Sequence, residues 1–176
     1  METKSQNLSF TIVGSIITFL LQVMLAPNIA ILDVVPNLFL VFVVLNAMQS
    51  TRTCACVTGF VLGLLYDFLS VGALGTMAFV LTIIGFAVNS LNRDMFTSSW
   101  ISKSFVLLIA AFFAELLHSV FLSILGFDSD FITSLIMRVL PGSVYDALFG
   151  LIVIAIMSRF SPEYKRKRRI MKGRFD

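Results

Sequence analysis

Charge is what this chain has least of. Only 13% of its 176 residues are Asp, Glu, Lys or Arg, against roughly 25% in an ordinary soluble domain. That scarcity excludes a fold that must coat itself in water. Cysteine is scarce as well, with Cys54 and Cys56 the only two. A C-x-C pair falls short of the roughly four ligands of a structural zinc site. Beside Arg52, on a side assigned below to the reducing cytoplasm, the pair reads as small buried thiols. A single histidine, His118, among scattered carboxylates offers no metal-ligand spacing. Phosphate-cradling glycine loops and the G-x-S-x-G, H-E-x-x-H and C-x-x-C patterns are all missing. No sequence feature therefore argues for an enzyme, a metal or a cofactor. Low-complexity tracts and internal repeats are missing too.

Apolar residues are what the chain does have: 58% of it is hydrophobic and the mean hydropathy is +0.96. With so little aqueous surface to build, lipid is the solvent the composition implies. Spanning helices need about 20 residues each, which nearly exhausts the length. The expected fold is all-α, a polytopic membrane protein of six transmembrane helices at 8–26, 35–49, 54–71, 74–91, 104–125 and 142–158. Together they form a single domain, 1–158, followed by a basic tail, 159–176. Pro27 and Asn28 end the first helix, Pro36 sits in the first turn of the second, Gly72 and Gly75 make a tight turn, and Gly126 ends the fifth. Residues 131–140 are amphipathic, with Phe131, Leu135, Ile136 and Val139 on one face, and are expected to lie in the membrane interface. Lys4 precedes a first apolar stretch longer than a signal core, with no A-x-A site after it, so it reads as a retained helix.

Charge placement sets the orientation. Six spans with both termini cytoplasmic put Lys4, Arg52, Arg93, Lys103 and the tail on the inner side of the bacterial membrane. Of the 13 basic residues, Arg138 alone then falls outside, as the positive-inside bias requires. If the short second helix did not span, Arg93 and Lys103 would face outward. The tail run Lys165, Arg166, Lys167, Arg168 and Arg169 could in general serve nucleic acid. Directly after a span it reads instead as a contact with anionic lipid or cytoplasmic partners.

Four ionisable residues fall inside the expected helices: Asp67, Glu115, His118 and Asp146. At a cost of about 2.5–3.5 kcal/mol near the bilayer centre, each needs a partner, a cavity or a proton. A structural polar cluster of Asp67, His118, Asp146 and Arg138 in the outer leaflet is one reading, with Arg138 paired to Asp67 or Asp146. Capping or snorkelling of the two aspartates is the other. Glu115 and His118 share a helix face at i, i+3, as a hydrogen-bonded pair, a partner contact or a proton- or substrate-handling site. Gly59 and Gly63 form G-x-x-x-G, which packs helices within the chain or joins two chains.

Three motifs follow one another along the chain. Pro36-Asn37-Leu38-Phe39-Leu40 matches a P-[DN]-L pattern. Gly59, Gly63, Asp67 and Gly75 match G-x-x-x-G-x-x-x-D-x-x-x-x-x-x-x-G. Arg138, Pro141 and Tyr145 match R-x-x-P-x-x-x-Y, followed by Asp146 where the pattern leads one to expect Asn. In this order they resemble the rod shape-determining MreD family, over nearly the whole chain. The resemblance implies a fold similar to the substrate-binding subunits of energy-coupling-factor transporters. It also implies a non-enzymatic scaffold of the cell-elongation complex that binds MreC, with indirect coupling to MreB and the peptidoglycan synthases. Gly59, Gly63, Asp67 and Gly75 would then serve helix packing or partner binding, the MreC helix entering a groove that includes the two G-x-x-x-G residues. The rival readings are a small-molecule transporter subunit and an intramembrane enzyme using Glu115 and His118. The first would offer an A-x-x-x-A patch on the first helix, where this chain has Gly14 and Thr18.

Overall fold

A computed structural model describes residues 2–29, 35–70, 73–95, 100–126 and 135–160. Among them are six α-helices and no strand: α1 (Glu2–Met24), α2 (Leu38–Ala47), α3 (Arg52–Leu69), α4 (Thr76–Met95), α5 (Trp100–Ile124) and α6 (Leu140–Phe160). A 3₁₀ turn, Ala26–Ile29, follows α1, and a π-helical turn, Leu135–Val139, leads into α6. Two stretches, Arg52–Leu69 and Ser102–Ile124, are long and apolar enough to cross a membrane. Thr11–Met24, Leu38–Ala47, Thr76–Leu91 and Leu140–Ala155 are apolar but shorter.

The smallest helix is the hub. All residues of α2 except Phe42 are buried, and α2 touches each of the other five α-helices. Apart from Asn46 its side chains are apolar all round, the signature of a helix enclosed on every side. Phe39, Leu40, Val43 and Val44 centre a core completed by Leu62, Met77, Leu81 and Leu107. At 1.5 Å per residue, the 10 residues of α2 reach about 15 Å. The sequence-derived span 35–49 is therefore corrected at both ends. Pro36 lies before the helix, because Asn37 is the N-cap and its side chain accepts from the Leu40 N–H at 3.1 Å. Past Ala47 the chain turns.

The other boundaries shift by a few residues. α1 and α5 begin several residues before their apolar stretches, because polar flanks continue a helix once it is nucleated. Thr51 caps α3, accepting from the Cys54 N–H at 3.4 Å, which moves its start to Arg52. Gly126 follows the end of α5 with φ +77, the left-handed conformation that closes helices. Of the amphipathic segment, 131–134 lie outside the described residues and 135–139 form the π turn.

Helices α3 and α4 make the tightest pair. A Cβ on Gly59 would collide with the Leu81 carbonyl oxygen, and one on Gly63 would lie 2.5 Å from Ala78 Cα. From the other side, a Cβ on Gly85 would lie 2.9 Å from the Ala55 carbonyl oxygen. Backbone meets backbone along this hairpin, the close approach that small residues permit.

Candidate functional site

Four polar assemblies hold this apolar bundle together, and each sits at a helix end or on the flank of α2. The first is Asp67. It is buried at the end of α3 and faces the start of α4. Its Oδ2 accepts the N–H groups of Gly75 at 2.9 Å and Ala78 at 3.0 Å, and its Oδ1 accepts that of Met77 at 3.1 Å. Those donors are the orphan amides of a helix N-terminus, where the backbone dipole also favours negative charge. Gly75 reaches its place with φ +94, a conformation open to glycine at no steric cost. Asp67 is thus a cap supplied by the neighbouring helix, with both oxygens occupied.

The second assembly surrounds the entry to α2. Residues 35–37 are extended and their backbone groups are met from two sides. Gln22, buried on α1, donates from Nε2 to the Pro36 carbonyl at 3.1 Å and accepts the Leu38 N–H on Oε1 at 2.7 Å. Asp146, buried on α6, accepts the Asn37 N–H on Oδ1 at 2.7 Å. The adjacent Tyr145 hydroxyl donates to the Ile29 carbonyl, so two consecutive residues of α6 hold the chain on either side of 30–34. Asp146 Oδ2 and Asn37 Nδ2 are buried and meet no hydrogen-bond partner among the described residues. Glu115, half-buried on α5, lies within electrostatic reach of Asp146.

The third assembly closes the other end of α2. Asn89 of α4 donates from Nδ2 to the carbonyls of Ala47 at 2.8 Å and Ser50 at 2.9 Å. The fourth crosses its flank. Thr11 of α1 donates to Asn46 Oδ1 at 2.9 Å, and Asn46 Nδ2 donates to Thr58 of α3 at 3.2 Å, with Cys54 Sγ 3.7 Å from Thr11. In the absence of water each unmet group would be costly, so α2 is tied at both ends and once between.

The candidate residues fall into separate groups. Gly59 and Gly63 lie against α4, so the face they share is covered within the chain. Asp67 and Gly75 work together at the start of α4. Glu115 and Asp146 approach each other, whereas His118, buried, meets the Tyr66 ring edge-on at 6.1 Å between centroids. Asp67 and Asp146 serve different helix starts. Pro141 is exposed in the first turn of α6, where its missing N–H costs nothing. The Arg138 side chain and its ion pair lie outside the described residues, as do Lys165, Arg166, Lys167, Arg168 and Arg169. Gln22, Asn46 and Asn89 were passed over in the sequence. An amide isolated in an apolar helix is the signal that marks them.

A groove of about 890 Å³ opens between α1 and α3. Ile12, Ile16, Val57 and Val61 form its walls, and Phe19 and Leu65 close one end.

The P-N-L motif and the residue after the R-x-x-P-x-x-x-Y motif, 109 positions apart, thus meet through the bond from Asn37 to Asp146. A family model described as rod shape-determining protein MreD matches residues 3–162. The chain belongs to the MreD family. MreD proteins are membrane-associated and determine rod shape, and the match takes in every assembly described above. Comparison with curated proteins and with solved structures finds no match.

Proposed function

We propose that this MreD-family chain is a non-enzymatic scaffold of the bacterial cell-elongation complex, binding MreC and through it supporting MreB and lateral peptidoglycan synthesis. The observation that carries the reading is the family match over 3–162. The proposal includes six spans within a single domain, 1–158, both termini in the cytoplasm and a lipid-contacting tail at 159–176. The short α2 is compatible with that count, since extended backbone at membrane depth survives where protein encloses it, as Gln22 and Asp146 enclose 36–38. A fold like that of the energy-coupling-factor subunits belongs to the same proposal and rests on the motif resemblance. One part of the sequence-derived mechanism changes. With α4 covering Gly59 and Gly63, the MreC helix docks on another, outward surface. Co-purification from mild detergent with tagged MreC tests the reading. A stoichiometric complex is expected, and its absence with both proteins folded and membrane-inserted would overturn it.

A further inference from the structure

Five buried side-chain polar atoms meet no hydrogen-bond partner among the described residues, and four of them belong to one corner of the bundle: Asn37 Nδ2, Asp146 Oδ2, Ser119 Oγ and Ser123 Oγ. Asn37, Ser119 and Asp146 are no more than 3% exposed. The bond from the Asn37 N–H to Asp146 Oδ1 joins the first two residues. Helix α5 places the other two. Its Phe121 meets Phe79 of α4 edge-on, and its His118 meets Tyr66 of α3. Glu115 lies within electrostatic reach of Asp146 on α6, and Ser119 and Ser123 follow Glu115 at i+4 and i+8, along one stripe. Ser119 is two residues from Phe121, about 160° around the helix, so the stripe runs on the α6 flank and not on the α4 flank. Ser119 precedes the end of α5 at Ile124 by five positions, and Asp146 follows the start of α6 at Leu140 by six. Both therefore lie about 8–9 Å inside the same end of the bundle.

The chemistry of these atoms selects the occupant. Asn37 Oδ1 is taken by the Leu40 N–H, which leaves Nδ2 as a donor. Asp146 Oδ2 offers an acceptor. The amide N–H turns away a cation, and the carboxylate turns away an anion. A helical serine can relieve its hydroxyl on a carbonyl one turn back, but neither Ser119 nor Ser123 does so. Water donates and accepts at once, and a buried water meets about three such groups. Left dry, each group would keep its full desolvation cost.

We propose that the seam between α5, α6 and the start of α2 is a water-binding site, with ordered water serving Asn37 Nδ2 and Asp146 Oδ2 and continuing along Ser119 and Ser123 toward the helix ends. The extended residues entering α2 are then met by Gln22 from α1, and by Asp146 and water from α6.

Water-edited solid-state NMR of the full chain in liposomes tests this, by timing how fast water magnetisation reaches each residue. Build-up at Asn37, Ser119, Ser123 and Asp146 is expected to be at least threefold faster than at Asn46 and Thr58. Those two are a buried amide and hydroxyl bonded to each other, so the comparison cancels what exchangeable protons contribute by themselves. Ser119→Ala with Ser123→Ala, with backbone shifts elsewhere unchanged, should slow build-up at Asn37 and Asp146 at least twofold. Build-up no faster than at Asn46 and Thr58 would overturn the site, and so would a double variant that leaves Asn37 and Asp146 at the wild-type rate. A solute retained on the chain in native mass spectrometry, and lost from Asp146→Asn, would displace water as the occupant and overturn the proposal as well.

Discussion

Asp67 and Asp146 do similar work with different reserves. Asp67 takes three backbone N–H groups on two oxygens, so Asp67→Ala strands three donors at a buried helix start. A buried donor left unmet costs about 1–3 kcal/mol, and a loss of at least ~3 kcal/mol is expected. Asp67→Asn keeps one oxygen and should fall between wild type and alanine. Thermal unfolding in detergent, followed by a thiol-reactive dye on the half-buried Cys54 and Cys56, gives the order. Asp146 takes one N–H on Oδ1, and its Oδ2 meets no partner among the described residues. Asn at 146 preserves that acceptor and replaces a buried ionisable group by a neutral one, so Asp146→Asn should unfold no earlier than wild type. Asp146→Ala should lose about 1–3 kcal/mol. If asparagine destabilised as much as alanine, Oδ2 rather than Oδ1 would carry the contact. Both aspartates were visible in the sequence as charges inside apolar helices. Their partners were not, because backbone amides carry no sequence signal.

Helix pairs explain why the same residue type is constrained for different reasons in one hairpin. Gly63 is pressed onto Ala78, where an added Cβ would lie 2.5 Å from backbone. Neither helix yields there without opening the pair, so Gly63→Ala should cost the ~1–3 kcal/mol of an overpacked core, or more. Gly75 has open space around its Cβ position and is constrained only by φ +94. Gly75→Ala pays for a left-handed backbone alone, about 1–2 kcal/mol. Combining Gly59→Ala with Leu81→Ala should not restore stability, because Gly59 meets the Leu81 backbone carbonyl and not its side chain, and unfolding of the double variant checks this. The G-x-x-x-G spacing announced close packing, but spacing on one helix names no partner. The contacts of Gly59 and Gly63 with α4 backbone, and of the reciprocal Gly85 with Ala55, identify the hairpin as the user. Likewise, composition announced α2 as apolar but not as enclosed. Its 10-residue length follows from Asn37 capping early, a local contact with Leu40, and from Asn89 closing late, a tertiary one.

For the whole molecule, the buried amides and the basic residues bear on one question, whether α2 counts as a crossing. An apolar helix of about 15 Å spans half a hydrocarbon core, and by length alone it would be left out. Basic-residue placement argues the other way, since only a crossing keeps Lys4 on the side of Arg52, Arg93, Lys103 and the tail. The tethers are the means by which a short helix can cross. Gln22 and Asp146 satisfy the extended residues at one end and Asn89 satisfies the carbonyls at the other, so the remaining depth needs no helix. Reporter fusions decide the count. Phosphatase fused after Gly126 should be active, while phosphatase fused after Arg93 should be inactive, a fluorescent protein there bright and a fluorescent protein at the N-terminus bright as well. The same pair of fusions after Arg93, in a chain carrying Gln22→Leu with Asn89→Leu, measures what the tethers contribute. With the tethers gone, α2 should lose its place in the core, and part of the population should invert from Arg93 onward. A phosphatase signal after Arg93 already in the wild-type chain would mean that α2 does not cross and that the positive-inside reading of this chain is wrong.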